Sequence, residues 1–172
     1  AELEADVVIT ATGLELLPVG GVEVTIDGQE LDLPEHLTYK GMMLSGVPNA
    51  ALVMGYTNAS WTLKCDLTCE YVCRLLNHMR EHHYDYCVPE EGDLPVTSKP
   101  LLDLDSGYIL RSLDKFPRQG AERPWRVYQN YALDVVTLKL GSLEDDAMRF
   151  ARAGQVAAVA AEPEPEPAAA AA

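Results

Sequence analysis

Residues 50–79 read AALVMGYTNASWTLKCDLTCEYVCRLLNHM, and they set the fold class. The apolar run at 51–54 predicts a buried strand, residues 55–60 a polar turn, and the stretch from about 60 to 83 a long amphipathic helix. Strand, turn and helix in that order belong to an α/β sheet, where ligands bind beyond the carboxyl ends of the strands. Gly55 permits an unusual backbone angle or a close approach to a ligand. Thr57, Asn58 and Ser60 can cap the helix or donate hydrogen bonds. The first helical turn has unpaired N–H groups and about half a positive charge, which suits a phosphate, a carboxylate or an electron-rich ring carbonyl.

At about 100° per residue, Trp61, Cys65, Cys69, Val72, Leu76 and Met79 share one side of this helix, predicted as its core face. Asp66, Glu70, Arg74, Asn77 and Glu81 share the other. Unpaired cysteine behaves as a small buried hydrophobe, so three thiols on a core face require no redox or metal role. With Cys87 and the histidines at 78, 82 and 83 they would offer soft metal ligands. Their spacing, however, is neither C-x2-C nor a paired H-x3-H unit, and no metal site is expected.

Working outward, residues 6–13 (DVVITATG) read as a central parallel strand ending in small residues, with Thr12 and Gly13 at its carboxyl end. Residues 22–26 and 30–33 alternate around Asp27-Gly28, a hairpin signal. Residues 37–44 predict a further strand and 88–100 a turn-rich connector. A short helix is expected near 108–113, a helical or extended run over 128–140, and a last helix opening at Ser142 and running toward Ala153. Residues 162–172 are low-complexity and predicted to be solvated.

The 172 residues are 48% hydrophobic and 23% charged, enough for one globular domain with a core. Acidic residues outnumber basic ones 27 to 13, a formal charge of -14, which argues against nucleic acid or an anionic membrane as partner. No apolar run approaches the roughly 20 residues of a membrane span, so the cytoplasm is the expected location. Without an initiator Met, and opening on a strand of buried type, the chain is expected to be a piece of something longer. Arg111, Arg118, Arg123 and Arg126 gather positive charge near Trp125 and Tyr128. They suit either a phosphorylated cofactor or salt bridges to acidic neighbours. The carboxylate pairs Glu90/Glu91 and Asp145/Asp146 read as solvated. No G-x-G-x-x-G, G-x-x-x-x-G-K-[ST], G-x-S-x-G or H-E-x-x-H is present.

Taken together, DVVITATGL (6–14), Asp27-Gly28-Gln29, YKGMMLSGVPN (39–49), GYTNASWTLK (55–64), YVCRLLNHM (71–79), GYILRSL (107–113) and PWRVYQNY (124–131) resemble another set of proteins. That set is the C-terminal part of flavin-containing monooxygenases of the Baeyer–Villiger type, in particular the ethionamide-activating group. The resemblance implies FAD and NADPH as cofactors, bound mainly by parts outside this chain. It implies a C4a-(hydro)peroxyflavin that inserts one oxygen atom from O2 into a ketone or oxidises a sulfur or nitrogen centre of a small-molecule substrate.

It further implies a partial Rossmann-like FAD-domain fragment over 1–87, an irregular helical extension over 88–153 and a disordered tail over 154–172. The cofactor-facing residues would be Thr12, Gly13, Gly55, Thr57, Asn58, Ala59, Ser60 and Trp61. The Gly-rich fingerprints, the F-x-G-x-x-x-H-x-x-x-W signature and the arginine beside the flavin all precede the ATG strand in that family. The chain alone is therefore expected to be inactive, and no catalytic residue is assigned. The alternative is a truncated, non-catalytic module that packs against a partner chain.

Overall fold

A computed structural model describes residues 4–92, 97–102 and 104–153. The chain is mixed α/β. Its strands are β1 (Thr25–Ile26), β2 (Gln29–Glu30), β3 (Thr38–Tyr39), β4 (Met43–Leu44), β5 (Tyr86–Pro89), β6 (Ser98–Pro100), β7 (Arg118–Gly120) and β8 (Met148–Ala151). Its helices are α1 (Trp61–His82), α2 (Gly107–Leu110) and α3 (Tyr131–Asp134), the last continued by a π-helical stretch at Val135–Leu140. Among the described residues the strands form two-stranded antiparallel ladders, β1 with β2, β3 with β4, β5 with β8 and β6 with β7. One isolated parallel bridge joins Leu37 to Arg118.

Helix α1 organises the interior. Leu67, Tyr71, Leu75 and Met79 recur every fourth position, with Lys64 and Thr68 beside them, and all six are buried. This stripe packs on Tyr39, Met42 and Met43 from the β3–β4 hairpin and on Leu138, Ala147 and Met148 from the C-terminal region. Trp125 meets Tyr39 edge-on at 5.7 Å, the arrangement aromatic quadrupoles favour. The helix ends where His83 turns left-handed at φ 59. The Tyr84 amide then bonds Met79 O at 2.8 Å, satisfying a terminal carbonyl as in a Schellman motif.

The Asp27-Gly28 hairpin forms as expected, with both residues at positive φ (51 and 83) and Ile26 opposite Gln29. Several other expectations are corrected. Residues 37–44 make a hairpin instead of one strand, because Lys40 and Gly41 adopt φ 51 and 70 and fold β4 back on β3. The turn-rich connector at 88–100 contributes the end of β5 and all of β6. The expected last helix from Ser142 is a turn followed by β8. Asp145 Oδ1 accepts the amides of Ala147 and Met148 at 3.1 Å, and the chain then pairs with β5.

Residues 6–10 and 51–54 join no ladder among the described residues. Val7, Val8 and Ile9 are 75%, 78% and 86% exposed. The parallel pairing expected of them has no partner strand here, and the Rossmann-like detail is not formed by these residues. The core face of α1 is corrected as well. Trp61 and Leu76 are each 59% exposed, Cys69 and Cys73 are exposed, Cys65 is half-buried, and only Met79 of the expected face is buried. At about 100° per residue the buried stripe and the expected stripe are adjoining arcs that meet at Met79, together spanning roughly 200°. This chain covers one of the two arcs. The predicted tail lies outside the described residues.

Candidate functional site

The turn between residues 54 and 61 splits into an inward and an outward half. Gly55 and Tyr56 are buried, whereas Thr57, Asn58, Ala59, Ser60 and Trp61 are exposed. The inward half is anchored by charge. The Tyr56 hydroxyl donates to Asp134 Oδ2 at 2.6 Å, and the same oxygen receives Lys64 Nζ at 2.8 Å. Burial, and then the bond to Asp134, push the Tyr56 phenol well above its ordinary pKa. Gly55 is required by close approach: a Cβ there would lie 2.3 Å from the Trp61 indole and 2.7 Å from the Trp61 Cα.

The outward half presents the start of a 22-residue helix with no acidic residue in its first turn and no side-chain cap. Ser60, at the cap position, directs its hydroxyl to Thr62 Oγ1 at 2.8 Å instead. An exposed positive helix end of this kind suits an anion or an electron-rich oxygen. One expected donor is already used, since the Thr57 amide donates to Gln129 Oε1 at 3.0 Å. Asn58 is held too, its Nδ2 donating to Gln129 O at 3.0 Å.

Thr12 and Gly13 are exposed and share no hydrogen bond with this corner among the described residues. Gly13, at φ 97, lies by the Arg111 guanidinium, 3.6 Å from a notional Cβ. A few residues later the chain does approach the corner. Leu16 and Leu17 line, with Gly55, Thr57, Trp61 and Tyr108, an apolar cavity of about 560 Å³. A second cavity of about 550 Å³ lies on the charged side, walled by Lys40, Lys64, Arg123, Trp125, Asp134 and Asp145.

Among the described residues none of Arg111, Arg118, Arg123 and Arg126 forms an ion pair within 4.0 Å, although Arg111 acts electrostatically on Glu15. Among the described residues the ion pairs within 4.0 Å involve Lys40, Lys64, His78, Lys115, Lys139 and Arg149. Arg123 lies over the Tyr128 ring at 5.5 Å, while Trp125 is a core residue, 6% exposed. Among the described residues no group of three His, Cys, Asp or Glu side chains could hold a metal, and no helix is long and apolar enough to cross a membrane.

Reading the sequence overlooked Lys64, Gln129 and Asp134, which together hold the corner. A signal existed for two of them. Lys64 falls inside the arc of Leu67, Tyr71 and Leu75 on α1, and Asp134 interrupts the apolar run of 132–136, so each was a charge in want of a buried partner.

Comparison with known proteins covers most of the chain. The chain is 51% identical over 151 residues to FAD-containing monooxygenase EthA of Mycobacterium tuberculosis (strain ATCC 25618 / H37Rv), covering 88% of this chain and 31% of that protein. It is 45% identical over 151 residues to FAD-containing monooxygenase EthA of Mycolicibacterium smegmatis, with 88% and 31% covered. It is 44% identical over 149 residues to the protein named "Probable FAD-binding monooxygenase AlmA" of Acinetobacter baylyi, with 86% and 30% covered. No protein-family profile and no solved structure matches. The chain spans about a third of the length of these curated relatives, and over that span it corresponds to the C-terminal part of FAD-containing monooxygenases.

Proposed function

We propose that this chain is the C-terminal segment of an FAD- and NADPH-dependent monooxygenase, and that the corner of Gly55, Thr57, Asn58, Ala59, Ser60 and Trp61 borders the flavin. Residues 1–87 then complete the FAD-binding domain, with Thr12 and Gly13 returning the chain to it, and residues 88–153 form an extension that braces it. The observation that carries this reading is the exposed, uncapped positive end of α1 inside the segment that matches the FAD-containing relatives. Bound flavin would supply hydride acceptance from NADPH and oxygen transfer from O2 to a ketone, sulfide or amine.

This chain's own residues hold and orient. The helix end of α1 offers a field that favours the negative charge a flavin gains on reduction. Lys64, Asp134 and Tyr56 fix the turn from below. The half-covered arc of α1 and the exposed residues 7–9 support an upstream portion of the same protein as the partner that completes the site.

Expression from the complete reading frame tests this. The expected product carries flavin absorbance and oxidises NADPH faster when a ketone or sulfide is supplied, whereas residues 1–172 alone retain no flavin. A complete product without flavin would instead favour a non-catalytic module that packs against another chain.

A further inference from the structure

Building on the proposed flavin-facing role of the corner, we infer that Gln129, a residue of the C-terminal extension, is a positioning residue that clamps the corner from outside the FAD-binding domain. It uses both of its oxygens on consecutive residues. Its side-chain oxygen accepts the Thr57 amide at 3.0 Å and its carbonyl accepts Asn58 Nδ2 at 3.0 Å. The backbone is bent to allow this, with Gln129 at φ 50, a left-handed conformation that strains a residue other than glycine.

The clamp is itself held at two points. Asn130 caps α3, its Oδ1 accepting the Leu133 amide at 3.0 Å, which fixes the chain's course from Gln129 to Asp134. Asp134 then grips Tyr56 and Lys64 on the inward side of the same turn. Residues 129–134 therefore hold 56, 57, 58 and 64, from just before the corner to the first turn of α1.

The choice of a neutral acceptor has a chemical consequence. An acceptor at position 129 fixes Thr57, and glutamine does so without placing a negative charge beside a ring that becomes electron-rich on reduction. Gln129→Glu keeps the shape and the accepting oxygen but adds that charge. Gln129→Gly relieves the left-handed strain and removes the side-chain half of the clamp, the bond to the Thr57 amide, while the carbonyl that accepts Asn58 Nδ2 stays, so it tests the glutamine side chain without a folding penalty.

Both variants are made in the protein expressed from its complete reading frame, and the midpoint potential of the bound FAD is measured together with the thermal unfolding temperature. Gln129→Glu is expected to leave unfolding within a few degrees of the parent. It should lower the reduced-to-oxidised flavin ratio at a fixed poise about tenfold, a shift of about 30 mV for a two-electron couple. Gln129→Gly is expected to loosen FAD, raising its dissociation rate severalfold at unchanged stability. Unchanged potential and unchanged FAD release in the two variants, with flavin still bound, would overturn the clamp while leaving the monooxygenase reading intact. If Gln129→Glu fails to fold, the Gly variant alone decides by FAD release. A parent protein that binds no FAD overturns the underlying reading, and the clamp with it.

Discussion

Tyr39 is completely buried, and its hydroxyl donates to Asp145 Oδ2 at 2.7 Å. Lys40 Nζ lies 3.0 Å from that oxygen and donates to the Tyr71 hydroxyl at 3.3 Å, so a charged pair closes over two buried phenols. Burial raises the Tyr39 phenol far above its ordinary range, with the neighbouring Tyr71 next in effect. Burial likewise raises the Cys87 thiol. The consequence for stability has a definite sign. Below about pH 8.5 both folded and unfolded chains keep these protons, and neither group makes stability depend on pH. As pH rises through the ordinary thiol and phenol values, near 8.5 and 10, the unfolded chain releases protons that the fold retains. Stability then falls by up to about 1.4 kcal/mol per pH unit for each such group. Urea unfolding followed by circular dichroism should therefore show a midpoint that declines above pH 9. Tyr39→Phe should cost about 1 kcal/mol at neutral pH for the lost hydrogen bond and flatten the decline above pH 10. A decline as steep as the parent's in that variant would show that Tyr39 does not carry it.

Among the elements, helix α1 is both the most legible and the most misleading. Its expected bounds of 60–83 and the observed Trp61–His82 nearly coincide, because a long apolar periodicity and the end signals agree. Which side faces this chain's core was not legible. Apolar residues cover both arcs, and periodicity records that a face is buried without recording by what. Residues 6–10 and 51–54 mislead for the same reason, since a short apolar run announces a sheet without recording where the other strands are. Ser142 to Asp145 misled differently, because a carboxylate that accepts two amides starts a turn as readily as a helix. The corner itself was legible as strand-turn-helix. Gln129, 72 positions from the Thr57 it binds, was not, because no local pattern encodes so distant a contact. The exposed arc gives a direct measurement. In residues 1–172 alone, Cys69 and Cys73 should react with a thiol reagent at the rate of a free thiol, and Cys87 only on unfolding. In the complete protein, labelling of Cys69 should slow at least tenfold while Cys87 stays silent. Equal labelling of Cys69 in both would mean that nothing upstream covers α1.

At the scale of the whole molecule two opposing forces set how the chain behaves without an upstream portion. A formal charge of -14 holds copies apart, while Val7, Val8, Ile9, Leu14, Trp61 and Leu76 leave apolar surface in water. Repulsion between surface charges decays over about 10 Å at 0.1 M salt and is weaker still above that, but apolar attraction is not screened. Raising salt should therefore drive residues 1–172 from monomer toward larger species in light scattering, with a parallel rise in fluorescence of an apolar-surface dye. A contact built on opposite charges would dissociate under the same change. Ile9→Asp, at a site 86% exposed and without a hydrogen-bonded strand partner among the described residues, should suppress the association without lowering the chain's own stability. In the protein expressed from the complete reading frame the same substitution should have the opposite cost. A carboxylate would then have to enter the interface that covers residue 9, so folding and flavin retention should both fall. Tolerance of Ile9→Asp there would show that this segment stays in water, and that the upstream portion docks on α1 alone.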